Sequence, residues 1–304
     1  MASTSPAARQ GSQQETWATV RRGTRLKHRE FTLEGAGGVP LFAQAWLPDG
    51  AISSVVVIAH GLGEHSARYQ WLAERLVAAG RAVYAIDHRG HGRSGGPRAN
   101  IERFAHVVSD FCTYVGRARR QHPDVPAFVF GHSMGGAIAF ASAARLQDTL
   151  SGLVLSGPAL GAGDAVPTLK WLSARVLSLV APNTGVLKLP ASAVSRDRAV
   201  VRAYETDPLV MHEAIPARTV VELLQAMATF PALAKQVRLP VLVQHGTADA
   251  LVPLEAARGV HQAVASRDRT FRPYDGLYHE IYNEPEREQV LADLLKWLTL
   301  HAAA

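Results

Sequence analysis

The sequence AFVFGHSMGGAIAFASAARL, residues 127–146, passes from an apolar run through a glycine-rich turn into a stretch rich in alanine. Residues 127–130 predict a strand, and residues 137–146 predict a helix. Between them lies the pattern G-x-S-x-G, whose glycines let the chain reverse within a few residues. We therefore predict that Ser133 stands on a strained turn as a nucleophile. A glycine-rich turn that serves only tight packing is the alternative interpretation of this pattern.

The same alternation of strand and helix extends along most of the chain. Apolar runs predict buried strands at residues 55–59, 82–86, 127–130, 153–155 and 241–245, and a further strand is predicted near residues 270–274. Amphipathic stretches predict helices near residues 71–77, 104–115, 137–146, 254–264 and 285–300. An antiparallel hairpin is predicted within residues 30–47, before the first of the buried strands. Because strands that are apolar throughout are buried on both faces, we predict an α/β fold with a mostly parallel central sheet flanked by helices.

The alternation stops between residues 157 and 239, where prolines and apolar helical segments replace it. We interpret residues 157–239 as an inserted helical cap. It would divide the α/β core into a first part, residues 21–156, and a second part, residues 240–304. Residues 1–20 lack an apolar centre, so we predict a disordered tail without a secretion signal.

Composition excludes several classes of protein. Hydrophobic residues make up 47% of the 304 residues and charged residues 19%, which excludes a disordered chain. No apolar run approaches the roughly 18 residues of a membrane-spanning helix, so we expect a cytoplasmic protein. The net charge is +6, but the basic residues are scattered and form no nucleic-acid-binding motif, so no nucleic acid partner is predicted. The single cysteine, Cys112, excludes an internal disulfide and has the spacing of a core residue on a helix.

A serine nucleophile needs a histidine base and a carboxylate that orients the base. Where the nucleophile stands on a G-x-S-x-G turn between strand and helix, the chain order is serine, acid, histidine, with acid and base on loops after strands. Asp249 lies directly after an apolar strand and is the best candidate for the acid. Of the three histidines that follow it, His261 falls within a helix and His301 at the end of the last one. His279 lies in a loop, so we predict the triad Ser133, Asp249 and His279.

The sequence also predicts an oxyanion hole. Residues 60–63, His-Gly-Leu-Gly, follow the first buried strand, where the backbone N–H of Leu62 can join that of Met134. Met134 begins the helix after Ser133, so its N–H lies at the positive end of that helix. A plain strand-to-helix turn is the alternative for residues 60–63.

Four segments together resemble monoacylglycerol lipases of the serine α/β-hydrolase superfamily, especially the mycobacterial-type members. They are HGLGEHSARY (60–69), DHRGHGRS (87–94), GHSMGG (131–136) and LYHE (277–280). The likeness covers roughly residues 20–300. It implies an α/β-hydrolase fold and hydrolysis of carboxylic esters by the same triad and oxyanion hole, without metal or cofactor. We expect the loop at residues 87–94 to be structural, since neither of its histidines fits the order of the triad.

The resemblance also implies that Glu64 and Arg68 lie near the glycerol end of the substrate. Their i, i+4 spacing equally predicts a local salt bridge, and both interpretations can hold together.

The function implied is cleavage of monoacylglycerols, or related lipid esters, into fatty acid and glycerol through an acyl-Ser133 intermediate. A lysophospholipase or general carboxylesterase of the same fold is the nearer alternative, because fold and triad do not determine the leaving group. A catalytically silent receptor or scaffold is the alternative outside enzymes. Apolar cap residues such as Leu169 and Leu172 could line an acyl tunnel, pack on the core or contact a membrane surface. Nothing in the sequence indicates the oligomeric state.

Overall fold

The computed structural model describes residues 15–16, 26–162 and 175–303. The strands are β1 (Glu15–Thr16), β2 (Leu26–Glu34), β3 (Pro40–Pro48), β4 (Ser54–Ala59), β5 (Arg81–Ile86), β6 (Ala127–His132), β7 (Gly152–Ser156), β8 (Gly185–Leu187), β9 (Ile215–Pro216), β10 (Val241–Gly246) and β11 (Arg269–Tyr274). The helices are α1 (Gln70–Ala78), α2 (Phe104–Gln121), α3 (Met134–Leu146), α4 (Arg198–Thr206), α5 (Ala217–Ala234), α6 (Leu254–Ala263) and α7 (Arg287–Ala302). Residues 175–180 are also helical.

The central sheet has the strand order β1-β2-β3-β5-β4-β6-β7-β10-β11. Strands β5, β4, β6, β7, β10 and β11 are parallel, while β1, β2 and β3 pair antiparallel at one side. Every residue of β4, β5, β6, β7 and β10 is buried, as expected for strands covered on both faces. The mostly parallel sheet predicted from the apolar runs is therefore confirmed.

Helices cover both faces of this sheet. On one face, α2, α3, the second half of α5, and α6 pack in one core through residues that include Phe111, Ile138 and Val260. On the other face, α1 and α7 pack in a second core that includes Leu72 and Leu294. Two packed layers of helix around one sheet hold the carboxyl ends of the parallel strands at a common edge, where binding sites of such sheets form.

The segment predicted as a helical cap contains a two-stranded antiparallel sheet, β8 with β9, besides helix α4. The second half of α5 belongs to the main core, because Phe230 and Ala234 are buried there against the residues of α2 and α3. We therefore propose that the cap covers residues 157–216 and that α5 belongs to the hydrolase core. Residues 163–174, and with them Leu169 and Leu172, lie outside the described residues.

The cap is attached to the two core loops that border the site. The N–H of Met211 donates to the oxygen of Gly63 at 2.7 Å, and His65 Nε2 lies 2.9 Å from Asp207 Oδ2. On the other loop, the N–H of Glu280 donates to Val194 O at 2.8 Å. These bonds join segments far apart in the chain, so the cap and both loops form one connected unit.

The beginning of the chain differs from the expected disordered tail at two residues. Glu15 pairs with Phe31 and Thr16 with Glu30, which adds β1 to the edge of the sheet. The other residues of the predicted tail, 1–14 and 17–20, lie outside the described residues. Among the helices that the structure describes, none has the length and apolar character needed to cross a membrane.

Candidate active site

A cavity of about 780 Å³ opens at the carboxyl ends of the parallel strands, between the core and the cap. Its lining contains all five residues predicted from the sequence to carry catalysis: Leu62, Ser133, Met134, Asp249 and His279. Residues of the cap and of α5 supply an apolar wall, which includes Leu177, Leu189, Val220, Leu223, Leu224 and Met227. The cavity therefore combines a polar end with a long apolar surface.

Ser133 stands between β6 and α3 with φ 53° and ψ −122°, a backbone conformation that residues other than glycine rarely adopt. The predicted strained turn is thus confirmed. The two glycines of this turn leave no room for a side chain. A Cβ on Gly131 would lie 2.3 Å from Gly135 O. A Cβ on Gly135 would lie 2.1 Å from Ala59 O. This crowding places the serine hydroxyl at the tip of the turn, facing the cavity.

Asp249 and His279 are in hydrogen-bond contact, with 2.7 Å between Asp249 Oδ2 and His279 Nδ1. The other carboxylate oxygen, Oδ1, accepts the N–H groups of Leu251 at 2.8 Å and Val252 at 3.0 Å. Burial by itself would raise the pKa of Asp249, but the hydrogen bonds from two histidines and from Val252 N–H hold it well below its usual range. The carboxylate is therefore ionised, and it orients His279 with Nε2 available to the cavity.

The structure brings Ser133 and His279 to the same cavity without joining them. Among the hydrogen bonds of the described residues, none links Ser133 Oγ to His279, whose ring instead lies 4.6 Å, centroid to centroid, from that of His132. Catalytic hydrogen bonds are often long in an unliganded site and tighten when substrate binds.

The backbone donors of the predicted oxyanion hole lie on two elements that meet beside Ser133. Met134 is the first residue of α3, so its N–H lies at the helix N-terminus. The N–H of Leu62 has no hydrogen-bond partner among the described residues, and the turn that carries it is held by Glu64 Oε1, which accepts Gly61 N–H at 2.6 Å. Both donors are free to bind an anionic oxygen in the cavity.

Glu64 and Arg68 form the predicted local salt bridge, with 2.6 Å between Glu64 Oε2 and the guanidinium. Arg68 also binds both carboxylate oxygens of Glu280, at 2.7 and 2.8 Å, which the sequence did not predict. Burial would raise the pKa of Glu64, but the Arg68 guanidinium holds it well below its usual range. The described residues that line the cavity include Glu64 and Glu280 but not Arg68, which lies behind them. Contact between Arg68 and glycerol is therefore not supported by this geometry.

The loop at residues 87–94 supports the segment that carries Leu62, in agreement with the structural role predicted for this loop. Asp87 Oδ1 accepts the N–H of Ser66 at 2.7 Å and its hydroxyl at 2.6 Å. His60 Nε2 accepts His88 N–H at 2.9 Å, and burial lowers the pKa of His91 to about 3. The described residues that line the cavity include neither histidine of this loop.

Gly157 is a functional position that the sequence did not reveal. It follows β7 with φ +47°, and a Cβ there would lie 3.1 Å from His279 O, 3.2 Å from His279 Nδ1 and 3.4 Å from Asp249 Oδ2. A side chain at this position would press on the acid and base together. The available signal was a glycine placed directly after a buried strand.

In the described part of the chain, no group of three or more His, Cys, Asp or Glu side chains could hold a metal ion.

Comparison with known proteins gives consistent matches over most of the chain. Residues 50–286 match the family model described as serine aminopeptidase, S33. The chain is 45% identical to the monoacylglycerol lipase of Mycolicibacterium smegmatis over 90% of its own length and 97% of that protein. It is 36% identical to the monoglyceride lipase of Mus musculus, over 90% and 91% of the two chains. The crystal structure of the Paleococcus ferrophilus monoacylglycerol lipase superposes with a TM-score of 0.77 at 31% identity, covering 86% and 99% of the chains.

Proposed function

The chain belongs to the serine aminopeptidase S33 family of α/β-hydrolases, and we propose that it hydrolyses monoacylglycerols to a free fatty acid and glycerol. The observation that carries the proposal is the 45% identity, over nearly the full length of both chains, to a monoacylglycerol lipase. The cavity supports it, because an apolar wall suits one acyl chain and a polar end suits the alcohol.

The chemistry assigned to the site is acyl transfer through Ser133. His279 Nε2 takes the proton of Ser133 Oγ while that oxygen attacks the ester carbonyl carbon. The N–H groups of Leu62 and Met134 bind the oxygen that becomes negative, and His279 then gives its proton to the departing glycerol oxygen. Water attacks the acyl-serine with His279 again as base, which releases the fatty acid and restores Ser133.

The alcohol end of the site is assigned to Glu64 and Glu280, which face the cavity beside Ser133. Arg68, bound to both carboxylates, offsets one of their two charges, so the cluster keeps a net charge of −1. Burial lowers the pKa of the neighbouring His132 to about 4, so that ring is neutral at pH 7. An uncharged alcohol with hydroxyl donors suits these acceptors better than a phosphate does.

A phospholipase is the second candidate, because the chain is 32% identical to the phospholipase YtpA of Bacillus subtilis over 81% of its length. We expect monoacylglycerols to be hydrolysed at least tenfold faster than lysophospholipids of the same acyl chain, since one repelled charge is worth about 1.4 kcal/mol or more in a buried site. The measurement is kcat/KM for a monoacylglycerol, the matching diacylglycerol and the matching lysophosphatidylglycerol, whose head group carries one net negative charge. Faster cleavage of the lysophospholipid would overturn the assignment and favour the second candidate.

We further propose that the cap contacts the surface of lipid aggregates. Val176, Leu179 and Val180 are 53%, 68% and 75% exposed, and Val186 and Leu187 extend the same apolar rim into the cavity lining. An exposed apolar rim beside the mouth of an apolar cavity is a suitable surface for lipid. The cytoplasmic location expected from the sequence stays a prediction.

Replacing Leu179 and Val180 together with serine is expected to lower activity on emulsified monoacylglycerol about tenfold, because the loss of two apolar contacts weakens adsorption by roughly 1.5–3 kcal/mol. Activity on a monomerically dispersed short-chain ester should stay within twofold. The matched control is Leu300→Ser on α7, also 70% exposed, which should change neither rate. Equal losses on both substrates would contradict contact with a lipid surface.

A further inference from the structure

His245, next to the last residue of β10, is a second histidine beside the acid of the triad. Its side chain is fully buried, and its Nε2 atom lies 3.1 Å from Asp249 Oδ2. The same Nε2 lies 3.2 Å from the carbonyl oxygen of Val252. Because that carbonyl can only accept a hydrogen bond, Nε2 carries the ring proton. This N–H is bonded to the Val252 carbonyl, in the turn that holds the acid, and it lies within ion-pair distance of the Asp249 carboxylate.

Four donors thus surround the Asp249 carboxylate. Oδ1 accepts the N–H groups of Leu251 and Val252, while Oδ2 is approached by His279 Nδ1 at 2.7 Å and by His245 Nε2 at 3.1 Å. The carboxylate side chain has no exposed surface, so water does not compete for these sites. Two imidazoles consequently share one oxygen of a buried anion.

We propose that His245 is a positioning residue that donates its Nε2–H to Asp249 Oδ2 and thereby sets how strongly this carboxylate holds His279. The inference rests on the proposed catalytic roles of Asp249 and His279. Without the second donor, all of the charge on Oδ2 would act on His279. The protonated form of His279 would then be more stable, and the free base needed to activate Ser133 would appear only at higher pH.

His245 Nδ1 has no hydrogen-bond partner among the described residues, although it is buried. A buried polar atom left unpaired costs free energy, so a purely apolar side chain would pack at this position without that cost. The sequence nonetheless places histidine here, where its other nitrogen reaches the acid.

Other charged groups near the pair belong to different elements and are unchanged by a substitution at His245. His132, at the end of β6, faces the His279 ring at 4.6 Å. Glu64 and Glu280 lie nearby and are both bound by Arg68. A shift in pH dependence on replacing His245 would therefore report on Asp249 and His279.

The test is the rate at which a fluorophosphonate labels Ser133 between pH 5 and 9, in the full chain and in variants at His245. His245→Leu and His245→Met remove the donor, whereas His245→Gln keeps an amide donor on a side chain of similar reach. Removing this donor should slow labelling severalfold on the acidic side of the profile, because a smaller fraction of His279 is then the free base. It should also move the midpoint of the acidic limb upward by about half to one pH unit, in the direction of a stronger hold on protonated His279. His245→Gln should recover most of both changes.

Several outcomes would overturn the proposal. Donor-free variants that fold, shown by circular dichroism, and keep the midpoint within about 0.2 pH unit would show that His245 only fills space. Equal losses in the leucine, methionine and glutamine variants with unchanged midpoints would show the same. Because the probe contains no glycerol ester, a wild-type protein that reacts with it but does not cleave monoacylglycerols would refute the proposed substrate and leave this test intact. A wild-type protein that does not react would refute both.

Discussion

Replacing Ser133 or His279 with alanine is expected to lower kcat/KM for monoacylglycerol hydrolysis by about 10⁴-fold or more. Ser133 supplies the attacking oxygen, and His279 is held by Asp249 with Nε2 available to move its proton. Since the two act as one unit, the double variant should be scarcely worse than either single variant. Both residues lie at the cavity surface, so neither substitution should change the fold.

The measurement is the initial rate of fatty acid release, with circular dichroism and thermal unfolding as controls for folding. His106→Ala is the matched control, because His106 lies on α2 and is not among the described residues that line the cavity. A fluorophosphonate should label the wild-type protein and fail to label Ser133→Ala. If either triad variant kept more than a tenth of the wild-type rate, the assignment of the nucleophile or base would be wrong. A wild-type protein inactive on every ester would instead support a receptor or scaffold.

Adding one methyl group at Gly135 is expected to reduce activity by about 100-fold, because small displacements of catalytic groups have effects of this size. A Cβ there would lie 2.1 Å from Ala59 O and 2.4 Å from His60 O. Such overlap forces α3 away from the end of β4, and this strand leads into the turn that carries Leu62. The two halves of the oxyanion hole would separate, and overpacking should also lower stability by roughly 1–3 kcal/mol.

Gly259→Ala is the matched control for this substitution. Gly259 also lies within a helix, α6, but beyond its own neighbours in that helix no atom comes within 4 Å of an added Cβ. Alanine there should leave activity unchanged and raise stability by about 0.5–1 kcal/mol, because glycine weakens a helix interior. Unfolding in urea and kcat/KM, measured on both variants, separate the two expectations. Similar activity in Gly135→Ala and Gly259→Ala would show that the close approach at Gly135 is not needed.

The sequence by itself determined the central sheet, the position of Ser133 and the choice of its partners. Apolar runs identify buried strands because a strand covered on both faces tolerates few polar residues. The G-x-S-x-G pattern is recognisable because consecutive residues form the tight turn at Ser133. Asp249 and His279 could be chosen because acid and base must follow strands in a known order. The salt bridge between Glu64 and Arg68 was predicted from their i, i+4 spacing, although Glu64 precedes the short helical turn Ser66–Tyr69.

Only the tertiary structure decided the contacts that join distant parts of the chain. Arg68 binds Glu280, 212 residues away, and it thereby moves from an expected substrate contact to a support behind two carboxylates. The second half of helix α5 packs in the core, because Phe230 contacts Phe140 of α3, although the prolines around this helix resembled those of the cap. His245 has no local pattern that marks it, and Gly157 is marked only by its place directly after a buried strand. Each matters because folding brings it against Asp249 or His279. Such contacts depend on how whole helices and strands pack. The apolar periodicity of one helix or strand indicates which of its faces is buried, but not which elements it contacts.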